Sequence, residues 1–424
     1  MKICILGSGV IGVTTAYELA RHGHEVTVID RQPESARECS FANGGQLSYA
    51  HAEPWANPGV FLKLFQWMFQ EDAPLVFKPP MDPHFIRWGL LFMRNCLPSY
   101  ARRHSEVMLR LGLYSKKKMA EMMADTQVEF AHLAKGILHV YSDDASFDHA
   151  KKQAEFQHTL GCEEVVMTRE QCFALEPALA NTTMDLKGGI HAPIDESGDI
   201  FVFTKNLTEY CRSKFNVKFL FNTEVRSIHK SGDRISHIEI GSGGDKPEFL
   251  SGFDAYVMAM GARSGYFLRQ VGLHVPIYPM KGYSISFDSS TACPSVSITD
   301  DAAKQVYSLL GSRMRVAGTA EFAKFNDSVR KVRIDPLIKG MKKLFPEAPL
   351  NNLTEWACLR PATPDGPPIV GKTPFANLFM NSGHGTLGWT QGAGTARLLA
   401  DIIDDRPTEI PMSGLDIERC LIKL

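Results

Sequence analysis

The chain has 424 residues, more than one ordinary domain accommodates, so two to three domain-sized units are expected. Apolar residues make up 44% and charged residues 22%, an ordinary balance for a soluble globular protein, and a net charge of -1 provides no field to gather nucleic acid. The nine cysteines are scattered, odd in number and form no C-x-x-C pair, which argues against a zinc site or a disulfide framework and suits a reducing compartment.

Lys2 followed by ICILGSGVIGV has the look of a secretion signal, but no A-x-A-like cleavage site follows it, and cleavage would destroy the motif it contains. It reads instead as strand, turn and helix. Lys2–Leu6 is a short buried strand. Gly7-Ser8-Gly9-Val10-Ile11-Gly12 matches G-x-G-x-x-G. Residues 13–22 form a helix with Ala16, Leu19 and Ala20 on one face, and Gly23 ends it. Glu25–Ile29 is a second strand, and Asp30 stands where such folds place an acid on the ribose hydroxyls. Gly7 permits the turn, Gly9 lets a pyrophosphate touch backbone, Gly12 lets helix and strand pack closely, and the helix N-terminus offers N–H groups to phosphate. Dinucleotide binding is the expectation; a glycine-rich turn in another α/β fold is the alternative.

Residues 39–55 (CSFANGGQLSYAHAEPW) are small and polar, with Asn43-Gly44-Gly45-Gln46 at the centre. Such a stretch suits backbone laid against a large planar group, or a plain surface loop. Residues 59–114 contain VFLKLFQWMF and HFIRWGLLFMRNCL, aromatic and aliphatic with basic residues interleaved. They read as helices covering a core, or as a surface for a membrane or an electron-transfer partner. From Val217 the pattern alternates as strands with a turn at Ser231-Gly232-Asp233. Residues 253–262 form a buried strand ending in a small-residue turn, and 278–287 and 314–318 are further strands. LFMNSGHGTLGWTQGAGTARLLADII, residues 378–403, is a strand, a glycine-rich turn and a helix. No apolar run reaches the roughly 18 residues of a membrane span, and no metal site or nucleophile–His–acid set is evident.

Several of these stretches resemble the FAD-dependent amino-acid oxidoreductases of the D-amino-acid oxidase and glycine oxidase superfamily, and most nearly the small-subunit type of the bacterial D-amino acid dehydrogenases. The matching stretches are 5–31, 42–59 (ANGGQLSYAHAEPWANPG), 63–75, 195–199 (DESGD), 275–284 (VPIYPMKGYS), 359–371 (LRPATPDGPPIVG) and 381–390 (NSGHGTLGWT). The resemblance implies an α/β plus α+β fold: a Rossmann-type FAD domain (1–58, 180–270 and 355–424) interleaved with an antiparallel-sheet substrate domain (59–179 and 271–354). It implies FAD contacts from Gly7, Gly9, Val10, Ile11, Gly12, Asp30 and Arg31, from Asn43, Gly45 and Gln46, from Val225 and Gly261, and from Gly383, Gly385, Thr386, Leu387 and Gly388.

The implied reaction is oxidation of a D-amino acid, with hydride passing from Cα to flavin N5 and the imino acid hydrolysing to a 2-oxo acid and ammonia. Electrons then pass to a quinone or another non-oxygen acceptor. Alternatives are an oxidase for glycine, sarcosine or D-proline-like substrates, or a flavoprotein subunit that needs a partner chain. Arg360 is the first choice for the substrate carboxylate, against a structural pairing with Asp365 or a helix end. Tyr278 and Tyr283 are candidate hydroxyl contacts or core aromatics, Lys281 faces flavin or solvent, and Arg315 is structural. Residues 306–311 (VYSLLG) lack an arginine that relatives place near there, so a reduced or relocated carboxylate anchor is expected. The backbone N–H groups of Gly385 to Gly388 are expected at the flavin's O2 edge, with His384 touching flavin or substrate. FAD is expected to be held non-covalently, with a thioether at Cys358 the alternative. The expected location is the cytoplasm, or the inner face of the plasma membrane through 59–114.

Overall fold

The computed structural model describes residues 1–50, 54–60, 75–76, 82–159, 161–241 and 246–420. Stretch 63–75 of the resemblance therefore falls almost wholly outside the described residues, as does part of 59–114. In chain order the strands are β1 (Lys2–Leu6), β2 (Glu25–Ile29), β3 (Gln46–Leu47), β4 (Leu75–Val76), β5 (Ile137–Tyr141), β6 (Val165–Thr168), β7 (Gly188–Ala192) and β8 (Glu196–Ser197). They continue with β9 (Lys218–Leu220), β10 (Glu224–Ser231), β11 (Arg234–Gly241), β12 (Glu248–Ser251), β13 (Ala255–Met258) and β14 (Tyr278–Asp288). The last are β15 (Ser297–Asp300), β16 (Gln305–Leu310), β17 (Arg313–Glu321), β18 (Thr354–Ala362), β19 (Ile369–Lys372) and β20 (Leu378–Ser382). The principal helices are α1 (Val10–Arg21), α2 (Pro83–Asn95), α3 (Pro98–Thr126), α4 (Asp144–Thr159), α5 (Arg169–Leu175), α6 (Ile200–Phe215), α7 (Ser264–Gln270), α8 (Lys331–Leu344) and α9 (Gly388–Ile403).

Six strands form one sheet in the order β19-β20-β13-β1-β2-β9, parallel except for β19 at the edge. Side chains alternate across it. Ile3 and Ile5 join α1, α3, α6 and α9 on one face, while Cys4 and Leu6 join the β10-β11-β12 sheet and α7 on the other. Burial on both faces explains why KICIL and AYVM read as unbroken apolar runs. α1 starts at Val10, three residues before the sequence reading placed it, because Gly9 already takes the N-cap position.

The second sheet runs β18-β14-β17-β16-β15-β5-β7-β6, with β4 beside β17. Its pairing is antiparallel apart from β15–β5 and β17–β4. Tyr283, Ile285 and Phe287 pack beneath it against Ile334, Leu337 and Met341 of α8. β7 and nearly all of β18 pair into this sheet, although they lie within the spans 180–270 and 355–424 expected for the FAD domain. Among 59–114, one face of α2 covers this core: Phe85, Trp88 and Phe92 are buried with Met280 and Phe322, each side chain contributing roughly 2 kcal/mol.

Candidate active site

The C-terminal ends of β1, β2 and β13 converge on one cavity of about 420 Å³. At its first end, Gly7 has φ +104° and sits so close to β13 that a Cβ would lie 2.6 Å from the Ala259 carbonyl oxygen. A Cβ on Gly12 would lie 1.9 Å from the Gly7 oxygen, so Gly12 shapes the turn from behind and does not line the cavity, while Gly7, Gly9, Val10 and Ile11 do. No side chain caps α1 from Gly9; instead Ser40 Oγ accepts the Val10 N–H at 3.0 Å. Asp30 accepts from the Ser8 N–H (2.7 Å), the Ser8 hydroxyl (2.8 Å) and the Gln32 N–H (2.9 Å), and burial raises its pKa above the ordinary carboxylate value. Arg31 lines the rim and donates to Glu38 at 2.7 Å.

The glycine-rich stretch divides. Asn43 lines the cavity, its Oδ1 accepting from the Gly45 N–H at 2.9 Å. Gly45 and Gln46 do not line it. Gly45 makes a turn at φ +76°, and Gln46 Nε2 donates to Ser297 Oγ and Thr299 Oγ1, fastening the stretch to β15. Val225 and Gly261 border the cavity.

The far wall is β14–β18 and the turn before α9. The Arg360 guanidinium lies across Gly282, where a Cβ would meet its Cζ at 2.3 Å. The alternative pairing of Arg360 with Asp365 is not found, because Asp365 binds Arg419 at 2.9 Å. The Arg360 side chain has no ion pair or hydrogen bond among the described residues and borders the cavity. His384 also lines it. Its Nε2 meets Thr395 Oγ1 at 3.1 Å, and that hydroxyl donates to the Gly392 oxygen at 3.2 Å. Nε2 therefore carries the hydrogen, and Nδ1 is a buried acceptor without a partner among the described residues. Burial drives the imidazole down to about 3, so it is neutral at working pH.

Thr386, Gly385 and Gly388 border the cavity, whereas Gly383 and Leu387 only build the turn. Of the four N–H groups expected at the flavin edge, Gly385 donates to the Pro361 oxygen (2.9 Å) and Leu387 to the His384 oxygen (3.0 Å), which leaves Thr386 and Gly388.

Other expectations are corrected. Tyr278 lies outside the cavity, its hydroxyl donating to Asp82 at 3.0 Å among Phe85 and Phe322. Tyr283 borders the cavity, but its ring belongs to the core under the sheet and its hydroxyl donates to Glu321 at 2.6 Å. Lys281 does not line the cavity and is closed to solvent: it is fully buried, 3.4 Å from Glu321, which Arg330 also holds at 2.7 Å. β16 (Gln305–Leu310) carries no arginine, and the arginines of the next strand do not line the cavity, which leaves Arg315 structural as expected. β17 carries Arg313 and Arg315 just before Val316-Ala317-Gly318. Arg313 turns to Asp288 (3.2 Å); Arg315 is buried, bonded to Ser286 Oγ and the Asn43 oxygen, and desolvation lowers it to about 10. Sequence reading missed Cys39, Ser40, Arg263, Asp327 and Trp356 as wall residues. Only Cys39 and Ser40, at the head of a stretch already singled out, carried a signal.

A family model described as "FAD dependent oxidoreductase" matches residues 2–402. The D-amino acid dehydrogenase of Paramagnetospirillum magneticum is 43% identical over 99% of both chains, and that of Dechloromonas aromatica is 41% identical over 96% of this chain and 98% of its own. This chain belongs to the FAD-dependent oxidoreductase family, and within it to the D-amino acid dehydrogenases. Among solved structures, glycine oxidase from Geobacillus kaustophilus superposes with a TM-score of 0.76 over 99% of both chains at 20% identity, a likeness of fold. L-proline dehydrogenase from P. horikoshii superposes at 0.72 over 99% of this chain and 97% of its own, at 17% identity.

The family's cofactor fits the cavity on structural grounds. The glycine cradle at Gly7 and Gly9 leaves backbone bare at the α1 N-terminus for the pyrophosphate. Asp30 stands at the end of β2 for a ribose, and the orphaned His384 Nδ1 accepts a hydrogen bond at the other end.

Proposed function

We propose that this flavoenzyme oxidises a D-amino acid to the imino acid, which water converts to a 2-oxo acid and ammonia, and that its electrons go to a quinone or another non-oxygen acceptor. The observation that carries the reading is the Arg360 guanidinium on the cavity wall, a forked cation with no anion paired to it among the described residues. It supplies the two parallel donors that a carboxylate takes up.

Bound FAD supplies a two-electron acceptor for the hydride leaving Cα. The chain must do the rest. Arg360 binds and orients the carboxylate. Thr386 and Gly388, at the positive end of α9, present N–H groups where negative charge develops. His384 Nδ1, a neutral acceptor, fixes a donor without exchanging a proton. No side-chain nucleophile is needed. The D-amino acid dehydrogenase relatives support the handedness of the substrate. FAD is held non-covalently in this reading.

The outer face of α2 supports peripheral contact with the cytoplasmic membrane, where a lipid-soluble quinone resides. Ile86, Leu90 and Met93 are exposed and apolar along it, Leu97 just beyond the helix is exposed too, and Arg94 of α2 and Arg102 and Arg103 of α3 are exposed basic residues. No described helix is long and apolar enough to cross a membrane.

Steady-state assays of the purified chain test the reaction. Turnover of D-alanine with a soluble quinone analogue, without oxygen consumption, is the expected result. Oxygen consumption without added acceptor indicates an oxidase for glycine, sarcosine or D-proline-like substrates instead. Activity that appears only with a second chain indicates a subunit of a larger enzyme.

A further inference from the structure

Solvent reaches the cavity wall at two places. At the nucleotide end the exposed lining residues are charged, Glu38 and Glu224. At the far end they are Thr386, Asp327 and Val329, with the half-buried Arg263. Asp327 and Val329 belong to residues 322–330, the irregular stretch after β17. That stretch is tied at both ends. Phe322 packs on Phe85 and Trp88 of α2, with ring centres 5.1 Å from each, and Arg330 binds Glu321 at 2.7 Å. Between these ties Phe325 and Val329 are each 40% exposed. Arg263 is fixed at the same end. Next to it, Ser264 Oγ donates to Ser382 Oγ at 2.9 Å, and Ser382, two residues before His384, donates to the Gly261 carbonyl at 3.2 Å. The Arg263 guanidinium lies 5.5 Å from the centre of the Phe325 ring, and its side chain has no ion pair or hydrogen bond among the described residues.

We propose that this rim is where the electron acceptor docks, a lipid-soluble quinone whose ring rests on Phe325 and Val329 and whose carbonyl oxygen takes a hydrogen bond from Arg263. The inference rests on the reading above that the acceptor is a quinone. A quinone ring is flat and apolar, carries two acceptor oxygens and no donor, and so asks for apolar contact and a donor together. The rim supplies both at one place, whereas the other exposed part of the wall is charged and is taken up by the nucleotide half of FAD. The approach is also the right one. Residues 322–330 start at α2, the helix whose outer face is apolar and exposed, and end at the cavity mouth.

The quinone gains two electrons and two protons and leaves as the quinol. The electrons and one proton are those the reduced cofactor took from Cα, the second proton comes from water, and the cofactor returns to its oxidised form. Negative charge grows on the quinone oxygens as electrons arrive, and a guanidinium fixed beside one of them stabilises it until the proton follows.

The test follows the two half-reactions of the holoenzyme separately by stopped-flow absorbance: anaerobic bleaching by D-alanine, then recovery of the yellow form on mixing with a short-chain ubiquinone analogue. Arg263→Met is expected to slow recovery about 10-fold, the worth of one charged hydrogen bond, and to leave the rate of bleaching and its dependence on D-alanine as in the natural chain. Arg263→Lys should restore part of the rate. Val329→Glu, which puts a charge on the apolar part of the rim, should raise the quinone concentration needed for half-maximal recovery about 10-fold, again without effect on bleaching. Equal recovery in Arg263→Met, Val329→Glu and the natural chain would overturn the docking site. Slower bleaching or a weaker response to D-alanine in Arg263→Met would place this arginine at the amino acid instead. A natural chain that bleaches but does not recover with the quinone analogue would overturn the acceptor reading and this inference together, whereas recovery of the natural chain and both variants alike would overturn only the inference.

Discussion

Arg360 has an unusual position for an arginine: it rests on a glycine, with its charge uncompensated by any described residue. Removing one member of a buried charge pair costs about 3 kcal/mol, so Arg360→Ala is expected to lower kcat/KM about 100-fold, mostly through KM. Arg360→Lys keeps the charge but loses the fork, and should recover only part of it. Unchanged KM in both variants would remove Arg360 from substrate binding. Asp195 permits a second test. It is buried, one oxygen accepts the Ala50 N–H at 2.8 Å, the other has no hydrogen bond among the described residues, and burial raises its pKa to about 8. A folded-state pKa above the unfolded one means stability is fullest below about pH 4 for this group and is lost as pH rises towards 8. Asp195→Asn should remove that slope, so its Tm advantage over the natural chain grows between pH 5 and pH 8. Parallel Tm curves would contradict it. Asp30 and His384 were legible because they stand at glycine turns whose geometry is local, whereas Arg360, inside β18, was singled out through the resemblance of LRPATPDG and the fit of a forked donor to a carboxylate. Tyr278, Tyr283 and Lys281 were not legible, because alternation along a strand fixes which residues share a face but not which face meets the cavity.

Among the elements, α1 shows both how far pattern reading reaches and where it stops. The glycine spacing gave the turn, but the Ser40 hydroxyl that meets the first N–H of the helix comes from a stretch with no regular structure. Losing such a bond costs about 1 kcal/mol, so Ser40→Ala is expected to lower Tm by roughly 2 °C and to weaken retention of FAD on dilution. An unchanged off-rate for the flavin would confine Ser40 to a structural role. α2 is amphipathic in the ordinary sense, with Phe85, Trp88 and Phe92 inward, yet Ile86, Leu90 and Met93 remain exposed on its outer side. Both readings of its composition therefore have a physical basis in one helix. Leu90→Glu should abolish sedimentation with phosphatidylglycerol vesicles while leaving turnover of a soluble quinone analogue intact. Equal sedimentation of variant and natural chain would exclude this face as the membrane contact.

At the scale of the molecule, the cavity exists because distant segments are brought together. β1 and β2 supply one end, β13 the middle, and β18 with the turn before α9 the far wall. The parallel sheet was readable from its buried runs and glycine turns, since each βα unit is a local pattern. The larger sheet was readable only in pieces, because β5, β6 and β7 join it through non-local pairing that leaves no periodic mark in the chain. That is also why β7 and β18 fall outside the spans expected for it. The central claim, a flavin in this cavity reduced by one hand of amino acid, is tested most directly by the anaerobic visible spectrum of the purified chain before and after adding D-alanine, with L-alanine as the control. Bleaching of a yellow protein by D-alanine alone is the expected result. A colourless protein, or bleaching by L-alanine and not by D-alanine, would contradict it.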